Sequence, residues 1–437
     1  MIKNNTKNLS RELFVPVLNY LKLKKYDQAL TLLDQLLKEK QNPDHINKIK
    51  AKIYLNKKDW KNCLLHYEKI SSSKKNFEDS NNKGVALFKL GRFSEAIDNF
   101  NDTIKLNKLY VPAYNNLSKA HKLLSNFELS IKYALNALAL APNNYNIQNS
   151  LFDILNYYSP KNKKNLILNI NEQMLKLNET INNNSIKNSL INGILNKSQK
   201  ILDENQKNLY FPETQILRKN KTNLNCKRHL EIFNKYKIIP NFCFGCYKVQ
   251  ITLNNVLNLI KLYFYFNDLS LEKNNIRKCM IEVRENVKGD YKGYIYTSSI
   301  DEAKNIMETV NKDLLSQNIN FHKIEMKHGC TEYYEKFPEF KLINQNLYPK
   351  ISKENWISVE SQFDKENLII EQNMERKFAN TMNVFNLSDY LIIKNWLSYA
   401  KTIGDESYKK IFNKNLDNSL MKNTLDKQIN FRKKELI

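Results

Sequence analysis

The chain is expected to fold as α+β overall: an all-α solenoid of helical hairpins, then a module that mixes strands with helices. Three observations predict this. Small residues on candidate helices recur at Ala29, Cys63, Ala96 and Ser130, steps of 33 to 34 residues, which is the spacing of a repeat array. The composition changes near Tyr210, after which five of the six cysteines and several period-two apolar runs appear. Glycine is scarce, with 8 Gly among 437 residues. No GxGxxG, GxxxxGK[ST] or GxSxG motif exists, so dinucleotide oxidoreductases, P-loop NTPases, kinases and serine hydrolases of the usual kinds are excluded.

In the first half each small residue is preceded by an aromatic three positions earlier: Tyr26, Trp60, Phe93 and Phe127. Four positions after it come Leu33, Tyr67, Phe100 and Ala134. The clearest unit is GVALFKLGRFSEAIDNFNDTIKLN from Gly84, and the next ends at Pro142. This pattern resembles the tetratricopeptide repeat (TPR) family over about residues 10–158, with units starting near 10, 44, 77, 111 and a degenerate one from 145. The resemblance implies stacked helix pairs that share one core and curve around a concave groove. Ala51 and Gly84 sit where two helices approach closely. Placing the family's groove positions on this chain points to Lys48, Lys52, Asn81, Asn82, Lys89, Asn115, Asn116, Lys119 and Lys122. Asparagine can pair with the backbone of an extended peptide whatever its sequence. Lysine favours acidic side chains or a C-terminal carboxylate. A merely solvated face in a lysine- and asparagine-rich chain is the competing reading.

Residues 159–206 read as a helical cap or linker, with amphipathic stretches at Leu166–Leu177 and Ile186–Leu202. Residues 207–337 read as an α+β module with a cysteine cluster: strand Phe242–Ile251, helix Asn254–Phe266, strand Arg277–Arg284, strand Tyr291–Thr297, helix Ile300–Gln317 and strand Phe321–Lys327. That βαββαβ order is the order of a ferredoxin-like plait. Residues 338–437 read as a helical extension with a basic tail. Leu387–Lys401 is an amphipathic helix with Ser388 as N-cap, and 413–437 is expected to be mobile.

Cys226 and His229, followed by Cys243 and Cys246, give the spacing C-x2-H-x13-C-x2-C. Two ligand pairs of this kind suit a structural zinc ion, with Cys330 able to replace His229. Buried packing of the cysteines, and a redox or iron–sulfur role, remain open alternatives. Lys292-Gly-Tyr-Ile-Tyr-Thr297 partly resembles the aromatic strand of RNA recognition modules, with Phe242 and Phe244 as a second platform. Net charge is +24, but the excess is spread along both halves. AT-rich codons, which favour Lys, Asn and Ile together, account for it as well as nucleic acid does. No apolar run reaches the roughly 18–20 residues of a membrane span, and the polar start MIKNNTKNLSREL has no secretory core, so a cytoplasmic location is expected.

The functional expectation is a scaffold that binds a protein or peptide partner through the Asn/Lys groove, with a zinc-stabilised C-terminal module. Two alternatives stand beside it. One is an enzyme recruited by the repeats, with His328, Glu332 and Glu335 near Cys330 as acid–base candidates. The other is RNA binding through the sheet.

Overall fold

The computed structural model describes residues 14–39, 41–181, 186–205, 209–220, 224–284, 287–343, 351–352, 354–366, 385–412, 414, 416 and 419–435. The chain divides into two compact units, Met1–Leu151 and Phe152–Ile437.

The first unit is a run of helix pairs. α1 (14–22) pairs with α2 (Tyr26–Lys38), α3 (Pro43–Asn56) with α4 (Trp60–Glu68), α5 (Phe77–Lys89) with α6 (Phe93–Leu106), and α7 (Val111–Leu123) with α8 (Phe127–Leu140); α9 (Tyr145–Leu155) follows. The first helices of the pairs have local start signals. Asn42 caps α3 with Pro43 at its first position, and Asn76 and Asp79 form a reciprocal capping box on α5. Ala29, Cys63, Ala96 and Ser130 are all fully buried. Ser130 is tolerated there because its hydroxyl donates to the Ser118 carbonyl at 2.6 Å. Gly84 is a close approach: a Cβ there would lie 2.6 Å from the Phe100 ring.

The turn inside each pair carries a signal the sequence does not advertise. Lys24, Lys58, Gly91 and Ser125 all have positive φ, 55°, 59°, 77° and 62°. Their spacing follows the repeat period. Only one of the four is glycine, so the left-handed turn is imposed by helix packing rather than by residue choice.

The second unit begins with α10 (Leu166–Lys176), α11 (Asn178–Ile181) and α12 (Asn188–Asn205). The expected cap segment is thus part of this unit. Asn178 exchanges hydrogen bonds with the Phe385 backbone (2.7 and 2.9 Å), and Tyr390 donates to Gln199 at 2.7 Å. The small antiparallel sheet contains β1 (Gln215–Arg218), β2 (Tyr247–Leu253), β3 (Arg277–Ile281), β4 (Tyr291–Thr297) and β5 (Phe321–His328) in the order β1-β3-β4-β2-β5. Between strands stand α13 (Cys226–Tyr236), α14 (Asn241–Phe244), α15 (Val256–Asp268) and α16 (Ile300–Ser316); α17 (Trp356–Glu366), α18 (Leu387–Ile403) and α19 (Ser419–Glu435) follow.

Three expectations need correction. The first strand starts at Tyr247, because Pro240 opens a helical turn that takes Phe242 and Phe244 off the sheet. The N-cap of α18 is Asn386, not Ser388: its side chain accepts from the Asp389 N–H, and Ser388 donates to Asn386 instead. Within the expected tail, α19 packs through Met421, Thr424 and Gln428, and Tyr210 and Thr424 share a 2.7 Å hydrogen bond.

A buried polar knot ties β1, α15 and α18 together. Arg218 meets Asp389 at 2.5 and 3.1 Å, and Tyr263 donates to the same carboxylate at 2.8 Å.

Candidate functional site

The groove candidates lie on the first helices of successive repeats, α3, α5 and α7. Asn116 donates to the Asn81 side-chain oxygen at 3.1 Å, and Asn81 reaches Asn82 at 3.4 Å. These amides form a rung across two repeats. The Oδ1 of Asn115 is buried and accepts no hydrogen bond among the described residues. A buried acceptor left open is costly unless something donates to it.

The lysines are less available than the sequence implies. Lys48 meets Asp79 at 2.5 Å and Lys52 meets Glu78 at 3.5 Å. Both carboxylates were missed as groove residues. Asp79 could have been found, since Asn76-Phe-Glu-Asp79 is a capping box that fixes its position at the helix start. Lys89 lies 5.9 Å over the Phe88 ring, Lys119 is exposed and Lys122 is half-buried.

In the second unit four cysteines share one locality. Cys226 opens α13, Cys243 lies in α14, Cys246 immediately precedes β2, and Cys330 follows β5. The Cys330 thiol hydrogen-bonds both Cys226 and Cys243. The bond with Cys226 pulls it down, but the bond with Cys243 and burial prevail and hold the thiol well above its ordinary value. Burial, reinforced by Cys226, pushes Cys246 up to about 12. Tyr333 stands 3.4 Å from the Cys243 sulfur. Cys279 belongs elsewhere, buried on β3 beside Arg218 and Arg277, and Cys63 packs in the repeat core.

His229 takes a different place. Its ring stacks on Phe242 at 5.3 Å, and burial, then Arg228, lowers it to about 4, so it is neutral at pH 7. Its charged neighbours are Arg228, Glu360 and Asp364, with Arg228 bridging the two carboxylates at 3.1 and 2.7 Å. Among the described residues no three or more His, Cys, Asp or Glu groups stand around a common metal position. His328 is buried against Phe340, with ring centroids 4.0 Å apart.

The tyrosines singled out for base stacking lie beside this cluster. Tyr294 is buried, with Lys248 and Lys278 ammonium groups 5.3 and 4.9 Å from its ring centre. A ring holding two cations is not an open platform for a base.

A family model described as tetratricopeptide repeat matches residues 111–144, the α7–α8 pair. Residues 111–144 form a tetratricopeptide repeat. Three solved structures are similar to part of the chain. One is the crystal structure of MamA, 18% identical, spanning 31% of this chain and 80% of that one with a TM-score of 0.30. Another is the first TPR of Spaghetti (RPAP3) bound to the HSP90 peptide SRMEEVD, 27% identical over 25% of this chain and 89% of that one, TM-score 0.25. The TPR2B-domain:pHsp70 complex of yeast Sti1 is 20% identical over 26% and 95%, TM-score 0.24. No curated protein matches the chain. Among the described residues no helix is long and apolar enough to cross a membrane.

Proposed function

We propose that the chain is a protein-interaction scaffold whose tetratricopeptide unit holds an extended segment of a partner protein. The observation that carries this is the amide row on α5 and α7. Asn116, Asn81 and Asn82 are linked side chain to side chain, and beside them the buried Asn115 oxygen awaits a donor. A peptide N–H supplies that donor without any demand on sequence. Lys48 and Lys52 already face Asp79 and Glu78, so preference for acidic residues is muted at that end of the groove. Recognition is directed mainly at backbone.

For the second unit we favour the ferredoxin-like plait. The order β3-β4-β2-β5, with α15 and α16 packed on the sheet and β1 added at one edge, supports it.

The test is selection of peptides from a displayed library by the full-length chain, followed by ester scanning of a selected peptide. Replacing one backbone amide by an ester removes one N–H. At one or two central positions the affinity is expected to fall about tenfold, from the loss of roughly one hydrogen bond. Equal binding by every ester analogue, with all discrimination in the side chains, would contradict backbone recognition.

A further inference from the structure

We infer that one face of the sheet is a binding site for a phosphate dianion, with Lys292 at its floor and Arg284 and Lys327 at its rim. The argument begins with topology. A Cβ on Gly293 would meet Leu262 and Phe266 of α15, so Gly293 faces that helix and its neighbours Lys292 and Tyr294 face the other way. The register carries this second face across the sheet. Thr252 on β2 stands opposite Lys292 on β4 and Lys323 on β5, Gln250 opposite Tyr294 and Glu325, and Lys248 opposite Tyr296 and Lys327. Arg284 reaches the same face from beyond β3 through its pair with Glu282, and Glu332 from beyond β5. A sheet face that packs on a core is apolar. This one carries lysine on β2, β4 and β5 together.

Charge points to the ligand. Lys248, Lys292, Lys323, Lys327 and Arg284 outnumber Glu282, Glu325 and Glu332 by two, before Lys278 beside the Tyr294 ring is added. Two is close to the charge of a phosphate group at neutral pH, whereas a carboxylate carries one. Floor and rim differ in access: the Lys292 side chain is 2% exposed, those of Lys327 and Arg284 33% and 40%. The hydrogen bonds of Lys292 are an independent observation. An ammonium has three donors, and among the described residues Lys292 uses one, to Glu282 at 3.3 Å. Arg284 already holds both oxygens of that carboxylate at 2.8 Å. Burial holds Lys292 below the ordinary lysine value; Glu282 opposes this, and Arg284 and Lys327 add to it. A buried ammonium with unused donors and cationic neighbours is costly. A phosphate oxygen fills those donors, and Arg284 and Lys327 approach the same group from the rim. Lys248 borders the site: it donates to the Gly329 carbonyl at 2.9 Å and has Glu332 as its strongest charge partner.

The experiment titrates the full-length chain with inorganic phosphate, phenyl phosphate and acetate in a calorimeter at low salt. The expected result is saturable binding of phosphate at one equivalent and none of acetate. Tighter binding of phenyl phosphate assigns a phosphate ester as the ligand; equal or tighter binding of inorganic phosphate assigns the free ion. Lys327→Gln and Lys292→Met should each weaken binding about tenfold or more, since a hydrogen bond to a charged group is lost. Lys304→Gln, on the exposed side of α16, should leave it unchanged, with circular dichroism confirming that each variant is folded. No saturable binding of either phosphate by the folded chain would overturn the site, as would equal weakening by Lys304→Gln and Lys327→Gln. Acetate binding as tightly as phosphate, or single-stranded RNA binding where neither phosphate does, would overturn the assigned ligand.

Discussion

Replacing Gly84 by alanine tests the close packing on which the repeat unit depends. Glycine inside a helix costs about 0.5–1 kcal/mol relative to alanine, so propensity alone says the substitution stabilises. Packing says the reverse. The added methyl would meet three Phe100 ring carbons at 2.6, 2.8 and 3.2 Å. Phe100 is fully buried, so the ring has no solvent to swing into. Overpacking of this kind costs about 1–3 kcal/mol. The net expectation is a loss of about 1 kcal/mol, and more for Gly84→Val. Gly193, in the middle of α12 with nothing within 4 Å of its would-be Cβ, supplies the control. Gly193→Ala should gain about 0.5–1 kcal/mol. Urea unfolding followed by circular dichroism reads both, provided the m-value is unchanged. Phe100→Leu in the Gly84→Ala background should cost less than Phe100→Leu alone. Stabilisation by Gly84→Ala equal to that by Gly193→Ala would refute the close approach.

Three further outcomes are expected. Ser125→Gly relieves a left-handed residue at φ 62° and should stabilise the repeat unit by up to about 1 kcal/mol; a loss in thermal unfolding would contradict the imposed turn. Asp389→Asn leaves the buried Arg218 without its counter-charge and should cost about 3–5 kcal/mol; a change under about 1 kcal/mol in denaturant titration would show that the knot is dispensable. Glu282 has a pH signature. Burial pushes its carboxyl up, but Arg284 at 2.8 Å and Lys292 at 3.3 Å outweigh it and bring the value from 4.5 to about 2. The unfolded chain therefore takes the proton first as pH falls. Stability from this group is complete above about pH 5 and drains away down to about pH 2, with about 3 kcal/mol at most. Glu282→Gln should flatten that part of the stability–pH curve, and an unaltered slope would contradict the ion pair.

The repeat unit is legible because its signal is periodic: Ala29, Cys63, Ala96 and Ser130 must be small wherever two helices touch. The sheet is legible for the same kind of reason, since Tyr291–Thr297 alternates between faces and reads as a strand with its observed ends. Boundaries set by local chemistry were harder. Pro240 turns a strand-like run into α14, and Asn386 takes the cap from its neighbour Ser388. At the sites, spacing along the chain is a poor guide to distance in space. Cys226 and His229 are three residues apart, yet the imidazole turns to Phe242 and Arg228 while the thiol meets Cys330, 104 residues away. Lys48 and Lys52 read as open cations because nothing in sequence shows that Asp79 and Glu78, one repeat later, reach them.

The most direct measurement is the affinity of a library-selected peptide for the full-length chain carrying Asn115→Ala, Asn116→Ala or Asn99→Ala. Asn99 bonds its own helix, donating to the Glu95 carbonyl at 2.8 Å, and serves as the control. Loss of one hydrogen bond in a groove corresponds to about five- to thirtyfold in affinity. The account predicts that loss for Asn115→Ala and Asn116→Ala and none for Asn99→Ala. Unchanged affinity in all three would contradict it.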